Sequence, residues 1–309
     1  MAIHLHAKRN RLRILFFILC LSAILFVSVG LHAQQSKPTS SPKNCLWQVE
    51  TPLNRAVFLL GSLHVLKSDA YPLANAINEA YSLSQEVVFE TDLAAMMDPA
   101  IQAKMVAMGL YPEGQTLFQN ISEETRSALK KKMADLGMPM AHFGRFRPWF
   151  MAVTLTALEL QRLGFSPEYG IDVHFYGRAG SDHKEIGYLE SVDFQLDLLG
   201  KMNTHDQNAF LGQTLKDLDV AARMADDMLK SWQKGDADNL YAVLFKSFEG
   251  YPQIEDRLLR QRNLDWVKKI EEMMAKDKNI FIIVGAGHLI GPGSVVALLK
   301  EKGYKVKQR

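Results

Sequence analysis

Two apolar runs, far apart in the chain, end in the same phrase. Residues 57–60 (VFLL) are unbroken and rich in strand formers; Gly61 closes the run and His64 follows three residues later. Residues 281–284 (FIIV) repeat the pattern, with Gly285 and then His288. A short continuous apolar run reads as a strand buried on both faces. In an open sheet, ligands gather outside the carboxyl ends of the strands. More than 220 residues separate His64 from His288, yet the repeat predicts that both strands join one sheet and that the two histidines meet at its mouth. The glycines suit that place, because they permit a sharp turn and a close approach of ligand to backbone.

Other strands can be placed around this pair. Residues 45–50 (CLWQVE) form a hairpin with 57–60 across the turn at 51–55. Residues 87–89 make a third strand ending at Glu90, 184–189 a fourth ending at Glu190, and 304–307 an edge strand. Between them the pattern is mostly helical, near 94–109, 122–137 and 147–163, then 191–201, a long helix over 205–233, 236–248 and a charged amphipathic helix over 252–276. Short helices are expected at 73–85, with Pro72 at its first position, and at 293–302. The fold class is therefore α/β: a central sheet built from strands at both ends of the chain, with a large helical insert or cap at about 94–250. Residues 45–309 form a single domain.

The chain has 309 residues and is 48% hydrophobic, enough for a sizeable core. Its formal net charge is +2. Four of its 36 Lys and Arg (Lys8, Arg9, Arg11 and Arg13) precede Ala33 and no acidic residue does, so the remainder carries 32 basic against 34 acidic side chains. No strong basic field is left, which argues against nucleic acid as partner. The basic start, the run ILFFILCLSAILFVSVG and Leu31-His32-Ala33 make residues 1–33 a secretory signal peptide or, uncleaved, an N-terminal anchor. Residues 34–44 are polar and read as a linker. The expected location is periplasmic or secreted, with membrane contact only if the segment is retained as an inner-membrane anchor. Cys20 lies within the leader, so Cys45 has no internal disulfide partner.

The strand ends deliver His64, Glu90 and His288, and Glu190 ends the fourth apolar strand. Two imidazoles and a carboxylate form a common catalytic metal set with positions left for water and substrate. The candidate metal ligands are His64, Glu90 and His288. A divalent ion there would lower the pKa of its water. Glu90, Glu190 and Arg262 are the candidate catalytic side chains: a second carboxylate such as Glu190 takes the water's proton or orients a histidine. Arg262, followed by Asn263, is a substrate clamp or a partner of the acids.

With these residues placed, the chain resembles the TraB/GumN family, related to the TIKI metalloproteases and more distantly to the ChaN-like and erythromycin-esterase-like folds. The resemblance spans about 45–307. It is carried by LWQVE…VFLLGSLHVL, VVFETDL, RPWF, SPEYGIDVHFYGRA, KEIGYLESVDFQLDLL, RQRN and FIIVGAGHLIGPGSVVALLKEKGYKV. It implies paired histidines at His64 and His288 and an acidic residue at Glu90, with Glu190, Gln195, Arg262 and Asn263 in other shared blocks. It also implies a divalent cofactor, manganese or cobalt with zinc possible, and a peptide or small-molecule substrate.

The remaining features have plainer readings. Met96, Met97, Met105, Met108, Met133, Met138 and Met140 read as adaptable core. Asp172 and His174 follow Gly170 in a short helix, where His174 reads as a packing or capping residue. His142, His183 and His205 read as surface or loop, Arg145 and Arg147 as a solvated turn, Arg257 and Arg260 as the wet face of the charged helix. His-Glu-x-x-His and Gly-x-Ser-x-Gly are absent, and VGAGHLIG lacks the third glycine of a dinucleotide fingerprint. Two functions stand: a metal-dependent hydrolase, chiefly a peptidase, or a non-catalytic protein binding haem or a signalling peptide on the same fold.

Overall fold

Six strands among the described residues form one sheet: β1 (Leu46–Glu50), β2 (Ala56–Ser62), β3 (Glu86–Phe89), β4 (Glu185–Tyr188), β5 (Ile280–Gly285) and β6 (Val306–Gln308), in the order β4-β3-β5-β2-β1-β6. The computed structural model describes residues 43–309. The leader expected over 1–33, and the linker expected over 34–44 except its last two residues, lie outside the described residues. β5, from the far end of the chain, runs parallel to both β2 and β3, whereas β1 pairs antiparallel with β2 and with β6. The expected α/β sheet, with strands from both ends of the chain, is what forms.

Every residue of β2, β3 and β5 is buried. Because alternate side chains point to opposite faces, helices must cover both. The helices are α1 (Asn75–Leu83), α2 (Leu93–Met96), α3 (Pro99–Gly109), α4 (Glu123–Asp135), α5 (Pro148–Arg162), α6 (Ile171–Ser181), α7 (Val192–Gly200), α8 (Thr204–Asp217), α9 (Ala221–Gln233), α10 (Ala237–Phe245), α11 (Pro252–Glu255), α12 (Gln261–Met274) and α13 (Val295–Glu301). A π-helical turn, Asp256–Arg260, joins α11 to α12. Phe281 of β5 meets Tyr81 of α1 and Phe175 of α6, with ring centroids 5.9 and 5.2 Å apart. Helices α9, α10, α12 and α13 complete the same core. A second cluster (Met105, Trp149, Leu196, Leu258) and a third (Leu129, Met151, Leu211) form the helical cap.

Several boundaries differ from the sequence pattern. The long helix expected over 205–233 is two helices, α8 and α9, joined by a turn in which Asp219 and Val220 donate back to Lys216 and Asp217. No Gly or Pro marks the break; it lets α8 pack in the cap and Met228 and Trp232 of α9 in the sheet's core. The segment near 94–109 divides at Asp98-Pro99, where Asp98 caps α3 and Pro99 opens it. Pro72 is not the first residue of a helix, since α1 begins at Asn75. Arg257 is not on a wet face: it donates to the carbonyls of Leu198 and Asp197 at 2.7 and 2.9 Å, holding the end of α7.

Glu86 opens β3 at the lower end of the sheet, 6% exposed, with Lys276 and Lys278 Nζ 3.1 and 2.8 Å from its carboxylate. Burial pushes its pKa up, but hydrogen bonds from the two lysines and then their charges outweigh burial and hold it below the ordinary value. A depressed carboxyl contributes stability above its unfolded pKa and loses it as pH falls through the folded one. Glu86→Gln should therefore cost about 1–2 kcal/mol in urea unfolding at pH ~7 and close on wild type near pH ~3. An equal gap at both pH values would show that charge is not the cause.

Candidate functional site

A one-residue slip at the end of a ladder sets the first two residues side by side. Phe89 of β3 pairs with Tyr188 of β4, and beyond that pair the N–H groups of Leu189 and Glu190 donate to the Phe89 and Glu90 carbonyls at 2.9 and 2.7 Å. Both strands thus deliver a glutamate at the same level. Their carboxylates meet one guanidinium. Arg262 Nε donates to Glu190 Oε1 at 2.8 Å, and Nη2 lies 2.8 Å from both Glu90 Oε2 and Glu190 Oε2. Gln195 Nε2 bridges the same two oxygens at 3.1 and 3.2 Å. Arg262 comes from the first turn of α12, immediately after the π-helical turn, and its Nη1 donates to the Leu258 carbonyl at 2.9 Å.

Next to this pair stands His288, 1% exposed. Its Nδ1 lies 2.6 Å from Asn263 Oδ1, and its Nε2 lies 3.1 Å from Arg262 Nη1. An amide oxygen and a guanidinium allow only one tautomer: Nδ1 carries the proton and Nε2 accepts. Burial, then the Arg262 charge, then His64 hold the His288 pKa well below its ordinary value. Trp266 packs on the imidazole with ring centroids 4.2 Å apart, and its Nε1 donates to Glu190 Oε1 at 2.8 Å.

His64 follows β2 and has a different neighbour. Its Nδ1 lies 2.7 Å from Asp172 Oδ2, and the other oxygen of Asp172 accepts from Ser62 Oγ at 3.0 Å. Asp172 reaches it because α6 begins hard against the strand end. A Cβ on Gly170 would sit 2.3 Å from the His64 carbonyl oxygen, so only glycine fits there. Burial acts to lower the His64 pKa, but the Asp172 charge and hydrogen bond, with Glu90, outweigh it and raise the value.

The predicted ligands converge on Gly285. A Cβ built there would lie 3.3 Å from Glu90 Oε1, 3.4 Å from His64 Nε2 and 3.7 Å from His288 Cδ2. The Gly285 N–H itself donates to Glu90 Oε1 at 2.7 Å, and that oxygen lies 4.0 Å from His288 Nε2. The donor types fit a divalent ion. Each histidine has its Nδ1 fixed by an oxygen, leaving Nε2, as in ligating imidazoles, and the missing side chain of Gly285 keeps the space between them clear. Among the described residues, no three His, Cys, Asp or Glu side chains stand at ligand spacing. His288 Nε2 faces Arg262 instead.

The fates of the other candidates differ. The oxygens of Glu190 are taken up by Arg262, Trp266 and Gln195. Arg262, with a fully buried side chain, is a partner of the acids rather than a clamp at the surface. Sequence reasoning missed Asp172 and Trp266. The first could have been suspected from a glycine two residues before an acid in a helix's first turn; the second carried no signal. His174 is a packing residue, in ring contact with Tyr71 and Phe175. Arg145 holds the Tyr111 carbonyl, and Arg147 lies over the Tyr111 ring.

Asp172→Asn should lower the His64 pKa, because it removes the charge that raises it. An NMR titration of the His64 ring protons reads the shift directly, and an unchanged midpoint would deny Asp172 that role.

The model of the TraB/PrgY/gumN family matches residues 45–308. The protein YbaP of Escherichia coli (strain K12) is 28% identical over 253 residues, 82% of this chain and 90% of its own length. A metalloprotease TIKI homolog of Nematostella vectensis is 24% identical, over 88% of this chain and 68% of its own. Metalloprotease TIKI2 of Xenopus tropicalis is 22% identical, over 85% and 59%. No solved structure gives a significant match. The paired Gly-x-x-His strands, the strand-end glutamates and Arg262 all lie inside the matched region, and the chain belongs to the TraB/PrgY/gumN family.

Proposed function

We propose that the chain is a metal-dependent hydrolase acting on peptide bonds. The carrying observation is the convergence of His64, Glu90 and His288 on the empty side-chain position of Gly285. His64, Glu90 and His288 would hold the ion, which supplies a water of lowered pKa when bound. The distant relatives named as TIKI metalloproteases support the class of activity.

The chain's own residues do the positioning. Asp172 holds His64 by Nδ1, leaving Nε2 beside the side-chain position of Gly285, and Ser62 fixes Asp172. The Gly285 N–H holds Glu90 Oε1 and leaves that oxygen a second lone pair. Asn263 aims His288 through Nδ1, and its own amide is tied to the Gly293 carbonyl at 3.0 Å. Glu190 acts through Arg262 as its counter-ion. Capture of haem or of a signalling peptide without turnover calls for an apolar groove free of carboxylates beside the histidines, whereas Glu90 and Asp172 stand against them.

Metal content and uptake should show about one divalent ion per wild-type chain, with binding abolished in His64→Ala and in His288→Ala while the fold survives by circular dichroism. A peptide-library screen on the loaded protein then looks for cleavage. If no ion binds under any condition, the metal-dependent reading fails. Gly285→Ala places a methyl in the cradle; it should weaken uptake at least ~10-fold at a cost in stability of only about 1–3 kcal/mol. Unchanged uptake in that variant would place the ion elsewhere.

A further inference from the structure

Arg262 already engages side chains that an ion would need. Its Nη1 lies 3.1 Å from His288 Nε2, and its Nη2 lies 2.8 Å from Glu90 Oε2. Two of the three side chains assigned to the ion are thus engaged by an internal cation whose side chain is 0% exposed. We propose that Arg262 is the resident cation of this site: a divalent ion binds by taking His288 Nε2 from it, so the guanidinium keeps the ligands aimed in the ion-free protein and limits how tightly an ion is held. This rests on the metal reading of His64, Glu90 and His288.

An imidazole nitrogen has one in-plane lone pair and serves one partner at a time. Two cations crowded against the same nitrogen in a buried, low-dielectric place also repel strongly. Binding there is therefore an exchange rather than an addition. The arrangement makes exchange feasible. When Nη1 swings away from His288, Arg262 pivots on Glu190, which it holds through Nε and Nη2. His288 meanwhile stays aimed, because Asn263 holds its Nδ1 and Trp266 packs on its ring. Both partners remain anchored from behind.

The test uses zinc, a diamagnetic probe, with the purified chain carrying ¹⁵N-labelled histidine and arginine. In wild type, His288 Nε2 and the Arg262 side-chain resonances should shift with one common midpoint as zinc is added. Arg262→Met should bind zinc at least about tenfold tighter by calorimetry; Arg262→Gln replaces it if the Met variant does not fold. Removing a positive charge alone also favours an ion, so the paired resonances in wild type decide the matter. Zinc bound by the variant but excluded from wild type overturns the proposal, because the native guanidinium then yields His288 to no ion. Zinc bound in wild type through His64, with His288 or Arg262 unmoved, overturns it and leaves a metal site with fewer ligands. Binding no tighter in the variant also overturns it. If neither protein binds zinc, the proposal and the metal reading fall together.

Discussion

A guanidinium removed from water must find acceptors for five N–H groups, and the structure is arranged around meeting that demand for Arg262. Its acceptors come from the end of β3, the end of β4, the π-helical turn and the loop after β5. One side chain therefore ties four segments distant in sequence to a common point. Such a buried ion cluster adds little net stability over a well-packed apolar one, but losing one member leaves an uncompensated charge at a cost of ~3–5 kcal/mol. Its contribution is to exactness of placement: the strand ends cannot drift while both glutamates answer to the same cation.

The two histidines repeat one sequence phrase and are given opposite electrostatic surroundings. His64 faces an acid, which raises its pKa against the pull of burial. His288 is buried beside a cation, which drives its pKa down. Environment, not residue type, thus moves the pKa values of two imidazoles in opposite directions. Both keep Nδ1 engaged by an oxygen, so both present Nε2 as the reactive atom.

The parts legible in the sequence were those fixed by strand geometry. His64, Glu90, Glu190 and His288 could be placed at one edge because each follows an apolar run, and a parallel sheet brings strand ends together whatever their distance in the chain. Arg262 and Asn263 could be named but not aimed; the π-helical turn before them leaves no pattern in the sequence. Asp172 and Trp266 reach the site through helix packing, and a lone acid or indole in a helical stretch carries no mark of what it will touch. The break between α8 and α9 was invisible for the same reason: the turn at 218–220 has neither Gly nor Pro, and packing in three dimensions, not local preference, ends the first helix there.

β5 lies between β3 and β2, so the two earlier strand pairs, β1–β2 and β3–β4, have no direct bond to each other. A nascent chain that has emerged only as far as residue 279 holds two short ribbons, each with an open apolar edge waiting for the same missing strand. The sheet closes in one late event, made of contacts between the two ends of the described chain, and such long-range pairing is intrinsically slow. Until then both ribbons are exposed to wrong partners. Stalling or proteolysis before β5 yields not a smaller domain but an unfinished sheet.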